Sequence, residues 1–206
     1  MTTDPLTPES AREDLAFMRA LVAPSDSFQR QFGQAYFAAG LCYGVQMLLH
    51  GAQGFGLFPG MAAGLTIGFG PTVVFLAILF WQRGRSAGAA PSVANRAISG
   101  VFSAIGLANL ALAAIIALGA WRAQSLQVWL LFPCVVMVLQ GAAWLVVWHI
   151  RRRGWFGLVA AGWFVIGLAM GVAIVQPPIF MILAGLGFLL FMLIPGWVMM
   201  RQTKAA

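Results

Sequence analysis

His50 and His149 are the side chains that most invite a chemical role, as ligands to a haem or a metal ion. Each closes a long apolar run, His50 the first and His149 the fourth. Counting spans puts them on opposite sides of a bilayer, and one ion cannot take both ligands across roughly 30 Å of hydrocarbon. Biological zinc and calcium sites also draw on carboxylates or clustered thiols. No Asp or Glu occurs after Asp26, and Cys42 and Cys134 have neither a CxxC spacing nor a His partner. No metal and no other cofactor is expected, and both cysteines read as small apolar side chains packed between helices. Ser103 lies in an apolar run without a His or Lys base at its depth, as an intramembrane hydrolase would need. A carboxylate proton relay is excluded by composition. The chain is therefore not expected to be an enzyme.

Three amides remain. Asn109 falls near the middle of the third apolar run and Gln140 near the middle of the fourth, so a hairpin of the two runs allows a hydrogen bond between them. Such a bond contributes about 1 kcal/mol or less in lipid. Gln46 lies further out on the first run, near Tyr43. A path from Gln46 through Asn109 to Gln140 would suit a neutral solute, but interhelical adhesion is the simpler reading.

The elements that position these residues follow from composition and charge. Of 206 residues, 61% are apolar and only 8% are charged, against about 25% charged in an average soluble domain. All five acids, Asp4, Glu9, Glu13, Asp14 and Asp26, lie in residues 1–26, where two arginines leave a net −3; the ten basic residues after that leave +10. The basic groups cap apolar runs and do not gather on a soluble face, which excludes a nucleic-acid reading and marks membrane orientation. The predicted partner is a lipid bilayer. No signal peptide is expected, because the chain opens polar and acidic.

Six runs are each long enough for the about 20 helical residues that a bilayer core needs. They fall near 31–52, 58–81, 97–120, 127–149, 156–176 and 179–200, and none shows the period-two alternation of a barrel strand. The turns after the second and fourth runs hold Arg83, Arg85 and Arg96, then Arg151, Arg152 and Arg153. The tail holds Arg201 and Lys204. The alternate turns are nearly uncharged. By the positive-inside rule both termini are cytoplasmic, and Arg83, Arg85 and Arg151 to Arg153 form a cytoplasmic basic cluster. Trp81, Trp148, Trp155 and Trp197 then belong at the inner interface, Trp121 and Trp129 at the outer one. Three hairpins result, each with a proline in its second helix: Pro71, Pro133 and Pro195.

Small residues let helices approach closely in lipid. Gly40 and Gly44 form one such stripe, Gly167 and Gly171 another, and packing within the chain is the favoured reading. Gly60, Gly64 and Gly68 form the longest, and it is the candidate for a homo-oligomer contact.

Before the first run, Thr7-Pro8-Glu9 supplies a helix start and Pro24 a stop, predicting an amphipathic helix over 8–22. Leu15, Met18 and Val22 lie on its apolar face, with Glu9 and Glu13 opposite. An acidic helix is a poor ligand for anionic lipid, so this face should dock on protein, either the bundle's own mouth or a cytoplasmic partner. The stretch Glu13-Asp14-Leu15-Ala16-Phe17-Met18-Arg19 ahead of apolar spans resembles the openings of uncharacterised small bacterial inner-membrane proteins, and the resemblance implies a bacterial inner membrane.

The predicted fold is all-α: a polytopic six-transmembrane-helix bundle of three hairpins over 27–201. An N-terminal cytoplasmic segment over 1–26 carries the amphipathic helix, and a short cytoplasmic tail covers 202–206. The expected function is that of a non-enzymatic integral membrane protein, an anchor, sensor or regulator acting through its cytoplasmic face. The alternative is a channel or carrier subunit for a neutral or anionic solute.

Overall fold

The computed structural model describes Arg12 and residues 26–83 and 92–202. Among them all regular structure is helical. Six long helices follow in order: α1 (Asp26–Gly54), α2 (Met61–Arg83), α3 (Val93–Ala123), α4 (Leu126–Arg151), α5 (Gly154–Val172) and α6 (Pro177–Gln202). Five of these, α2 to α6, are long and apolar enough to cross a membrane. By composition the chain is a multi-pass membrane protein.

Local chemistry explains the boundaries. Ser92 and Ser125 cap α3 and α4, their hydroxyls accepting from the Asn95 and Val128 amides at 3.3 and 3.4 Å, and such caps satisfy donors that have no partner within the helix. Gln124 and Arg152 end those helices in the left-handed conformation, at φ 48° and 55°. Pro177 and Pro178 open α6, where a missing N–H is harmless. The turn between α1 and α2 contains Gly56 and Gly60 at positive φ. Within α6, Leu189–Leu193 is a π turn in which Ile194 N–H donates to the Leu189 carbonyl. It stands directly before Pro195, which has no N–H for the Phe191 carbonyl, and π turns of this kind absorb a misfit in the ladder.

The first helix departs from expectation. It runs from Asp26 to Gly54 and is not among the five apolar spans, because it carries Gln29, Arg30, Gln31, Gln34, Gln46, His50 and Gln53. Its place in the bundle accounts for this. It is the central helix, packed on α2 on one side and along the whole of α6 on the other, so most of its polar groups face protein.

The α1–α6 seam is built of glycine. A Cβ at Gly33 would lie 2.9 Å from the Gly196 carbonyl, and one at Gly44 would lie 2.7 Å from Leu189 Cδ2. Further along, Gly51 meets Ile182 and Gly54 meets Pro178 at 2.8 and 2.7 Å. Rising numbers on α1 meet falling numbers on α6, so the pair is antiparallel. Gly40 and Gly44 therefore pack within the chain, as their spacing predicts. Gly167 does so against Met137 on α4, whereas Gly171 has open space beside it.

The remaining helices extend the layer: α6 touches α5, α5 packs on α4, and α4 on α3. The two buried residues of α3, Asn95 and Ile98, both lie in its first two turns. α2 and α3 make no extensive contact with each other, so the bundle is closed except between these two helices.

Candidate functional site at the basic end of the bundle

Three hydrogen bonds gather one end of the molecule. Gln29, in the first turn of α1, donates from Nε2 to Gln202 Oε1 at 3.3 Å and to the Met199 carbonyl at 3.5 Å. Arg153, in the α4–α5 turn, donates from Nη1 to the same Gln202 oxygen at 3.2 Å. The start of α1, the end of α6 and the arginine-rich turn are thus one surface. The start of α3 joins it, because the Arg151 guanidinium donates from Nη2 to Asn95 Oδ1.

This last contact sets the electrostatics. Asn95 is fully buried, at 0% exposure, and Arg151 is half-buried. A guanidinium in that position would ordinarily face a carboxylate. The chain has none after Asp26, and among the described residues the amide orients the cation without neutralising it. Arg152, Arg153, Arg96 and Arg201 stand exposed around it. Arg201 lies over the Trp197 ring at 4.0 Å, an additional attraction for a cation. A cavity of about 30 Å³ beside Arg151, walled by Ile98, Trp144, Val147 and Phe156, has room for water and not for a solute.

Beneath the arginine layer lies an aromatic cluster. Phe28, Phe32 and Tyr36 recur every four residues on α1 and stack in a column, with centroids 6.0 and 5.6 Å apart. Phe102 of α3 and Trp144 of α4 close on them edge-first, and Phe156 of α5 stacks on Trp144 at 5.5 Å. Pairs of this kind contribute about 0.5–1.5 kcal/mol each beyond burial. The Tyr36 hydroxyl accepts from Trp144 Nε1 at 2.5 Å and donates to Gln140 Oε1 at 3.4 Å. Trp163 Nε1 is buried without a hydrogen-bond partner. Tyr36, Gln140 and Trp144 thereby satisfy one another between α1 and α4.

The sequence-derived amides are not brought together. Gln140 bonds Tyr36, and Asn109 Oδ1 is buried without a partner; the Asn109–Gln140 bond that a hairpin allows is not formed. Gln46 donates to the Gly68 carbonyl of α2 at 2.7 Å, while its own Oε1 is unpaired. Gln46 bonds α2 and Gln140 bonds α1, and neither bonds Asn109, so the three amides form no connected path. The reason is rotational: side chains at the same depth meet only when their helices also turn those faces together.

Other residues are also placed. His50 pairs with Gln53 at 3.1 Å, and His149 with the Leu145 carbonyl of its own helix at 2.8 Å. Among the described residues no group of three His, Cys, Asp or Glu could hold a metal ion. Cys42 and Cys134 are free thiols. Gly60 does not continue a helical stripe; it sits in the turn before α2 at φ 107°. Gly68 has nothing within 4 Å of where a Cβ would be, and Gly64 only the Gln53 amide at 3.9 Å. Trp155 is not a free interfacial ring, since it packs on Phe156 at 3.9 Å. Leu15, Met18, Val22 and Arg85 lie outside the described residues, as does the side chain of Arg83.

Comparison with protein-family models, with curated proteins and with solved structures finds no match. The site thus has to be read from its own chemistry. Sequence reasoning missed Asn95 and the Tyr36–Trp144 pair. A signal for Asn95 was present: it lies one turn inside a helix that starts on the side of the Arg151 to Arg153 turn. Tyr36 and Trp144 had none beyond the i, i+4, i+8 aromatic spacing of Phe28, Phe32 and Tyr36.

Proposed function

We propose that the protein is a non-enzymatic integral membrane protein of a bacterial inner membrane, acting as an anchor, sensor or regulator through its cytoplasmic face. It crosses the bilayer six times, with α1 as the sixth, shielded span, and both chain ends are cytoplasmic. The observation that carries this reading is the Arg151–Asn95 contact. It holds a guanidinium in a fixed place at the mouth of the bundle, surrounded by further arginines and, among the described side chains, by no carboxylate. Such a surface recognises an anionic group.

The acidic segment 1–26 enters α1 at this same end, as the Gln29–Gln202 bond indicates. Its net charge of −3 makes it a competitor for the arginine surface, and Leu15, Met18 and Val22 add an apolar contact. Docking and release of the segment would then gate what else reaches Arg151. Channel or carrier action draws less support, because the three intramembrane amides form no connected path and the cavity at Arg151 has room only for water.

The test has two arms. A reporter fused after Lys204 should report the cytoplasm, and one inserted near Gln53 the opposite side. A photo-reactive side chain at Leu15 should cross-link either to the Arg151 to Arg153 turn or to a cytosolic protein. Ends on opposite sides, or no cross-link with and without cytosol, would overturn the proposal.

A further inference from the structure

The gap between α2 and α3 is a cleft of about 540 Å³, within the roughly 300–1,000 Å³ of ligand pockets generally. Phe32 and Ala35 of α1 form its floor, and Leu76 and Leu79 of α2 one wall. The polar groups that line it, Gln31, Gln82 and Ser99, come from the three helices that enclose it. Their positions order the cleft by depth. Gln31 lies five residues into α1, Gln82 one residue from the end of α2 and Ser99 six residues into α3, all within about 9 Å of the basic end at 1.5 Å per residue. Ala35 and Leu76 lie deeper. Phe28 and Phe80 share the depth of the polar groups, so the cleft has a mouth of two amides, a hydroxyl and two aromatic rings over an apolar interior.

We propose that this cleft binds one anionic glycerophospholipid, with an acyl chain between α2 and α3 and the phosphate at the amide mouth beside Arg96. The inference stands independently of the regulatory reading above. A void of this size inside hydrocarbon does not stay empty, since unfilled volume forfeits contacts on every lining atom. It lies between two helices apolar enough to span a membrane that make no extensive contact with each other, so an acyl chain of the surrounding bilayer can reach the depth of Leu76.

Charge selects the headgroup. Arg96 lies three residues before Ser99 on α3, about 60° around the helix and one turn nearer the mouth. It is exposed. Arg151 lies behind the Phe28–Phe32 stack, which walls both the cleft and the small cavity beside that arginine. A phosphate with a glycerol headgroup meets the amides of Gln31 and Gln82, the Ser99 hydroxyl and the neighbouring Arg96. The ammonium of a choline or ethanolamine headgroup would find no carboxylate on α2 or α3, the two helices that frame the opening.

The full chain, purified in detergent, is exposed to equal amounts of phosphatidylglycerol and phosphatidylcholine with identical chains, and bound lipid is counted by native mass spectrometry. One phosphatidylglycerol per chain should be retained in preference, and Arg96→Gln should cut that preference about fivefold, the effect of one cation near an anionic surface, with phosphatidylcholine binding unchanged. Ala35→Phe fills the floor and should abolish retention, whereas Leu110→Phe on the outer face of α3 should not. If Ala35→Phe fails to fold, Leu79→Phe replaces it. Equal retention of the two lipids, or retention by folded Ala35→Phe or Leu79→Phe, overturns the proposal. Displacement by millimolar inorganic phosphate would assign the mouth to a free anion and also overturn it. In native membranes a photo-reactive residue at Leu79 should give a phospholipid adduct. An adduct with residues 1–25 or with a second copy would assign the cleft to that occupant instead.

Discussion

Gly40 faces the backbone of Leu193 so closely that no side chain fits between them. The contact joins the least apolar helix of the bundle to the π turn of α6, next to Pro195. It explains how α1 can be central: with glycine at 33, 40, 44, 51 and 54, it lies almost backbone to backbone on α6. In lipid, where apolar surface gains nothing by leaving water, such close packing is the available attraction.

Gly40→Leu should therefore separate α1 from α6. Overpacking of a core typically costs about 1–3 kcal/mol, and here the obstruction is main chain, which cannot rotate aside. We expect loss of the folded species in detergent, read by thermal unfolding and gel filtration. Gly68→Leu should leave the monomer's stability unchanged, because a Cβ there meets nothing within 4 Å. If Gly68→Leu instead changes oligomeric size, the α2 stripe is a contact between copies.

The contrast between these glycines marks what the sequence can and cannot reveal. The helical class and five of the long apolar runs were legible, because length and hydropathy are properties of one segment at a time. Gly40 and Gly68 look alike in sequence, and only the rotation of each helix about its axis distinguishes a seam from open surface. The same ambiguity hid Tyr36 and Trp144, which sit 108 residues apart. It also left open the pairing of Asn109 with Gln140, which is not formed. The basic end was legible as a cluster of arginines, but the amide that fixes one of them was not, since Asn95 looks like an ordinary polar residue in a first turn.

Tyr36→Phe tests the buried hydroxyl. It leaves Trp144 Nε1 and Gln140 Oε1 without their partner, and a stranded buried polar group costs about 1–3 kcal/mol. Trp144→Phe removes the donor as well. In the double variant the loss should be smaller than the sum of the two single losses, since the pair shares one bond. Unfolding midpoints in one detergent supply all four corners of the cycle, and strict additivity would show that the Tyr36 hydroxyl contributes nothing through Trp144.

Asn109→Leu should be neutral or stabilising, because its Oδ1 is buried without a partner and replacing it removes a desolvated acceptor. Gln140→Leu should cost on the order of 1 kcal/mol through the lost bond to Tyr36. Neither change should matter to solute flux in liposomes. If the double variant folded yet abolished a measurable flux, carrier action would displace the regulatory reading.

The segment before α1 offers the most direct test of function. Leu15→Asp with Met18→Asp should release residues 1–26 from the basic end without altering membrane insertion, because the spans are untouched. Reversing the charges of Arg151 to Arg153 should loosen the segment less. Exposed ion pairs contribute only about 0–1 kcal/mol each and are screened by salt, whereas burying two large apolar side chains contributes about 1.5–3 kcal/mol apiece. Arg151 is the exception within the triplet, since its guanidinium is already held by Asn95 and half-buried. Arg151→Glu alone should therefore weaken docking more than Arg152→Glu, whose side chain is exposed. Protease cleavage within residues 1–26, in membranes at low and high salt, ranks these variants. Cleavage of the wild-type segment as fast as an unstructured peptide, with and without cytosol, would show that it docks on nothing, and regulation through this end would lose its mechanism.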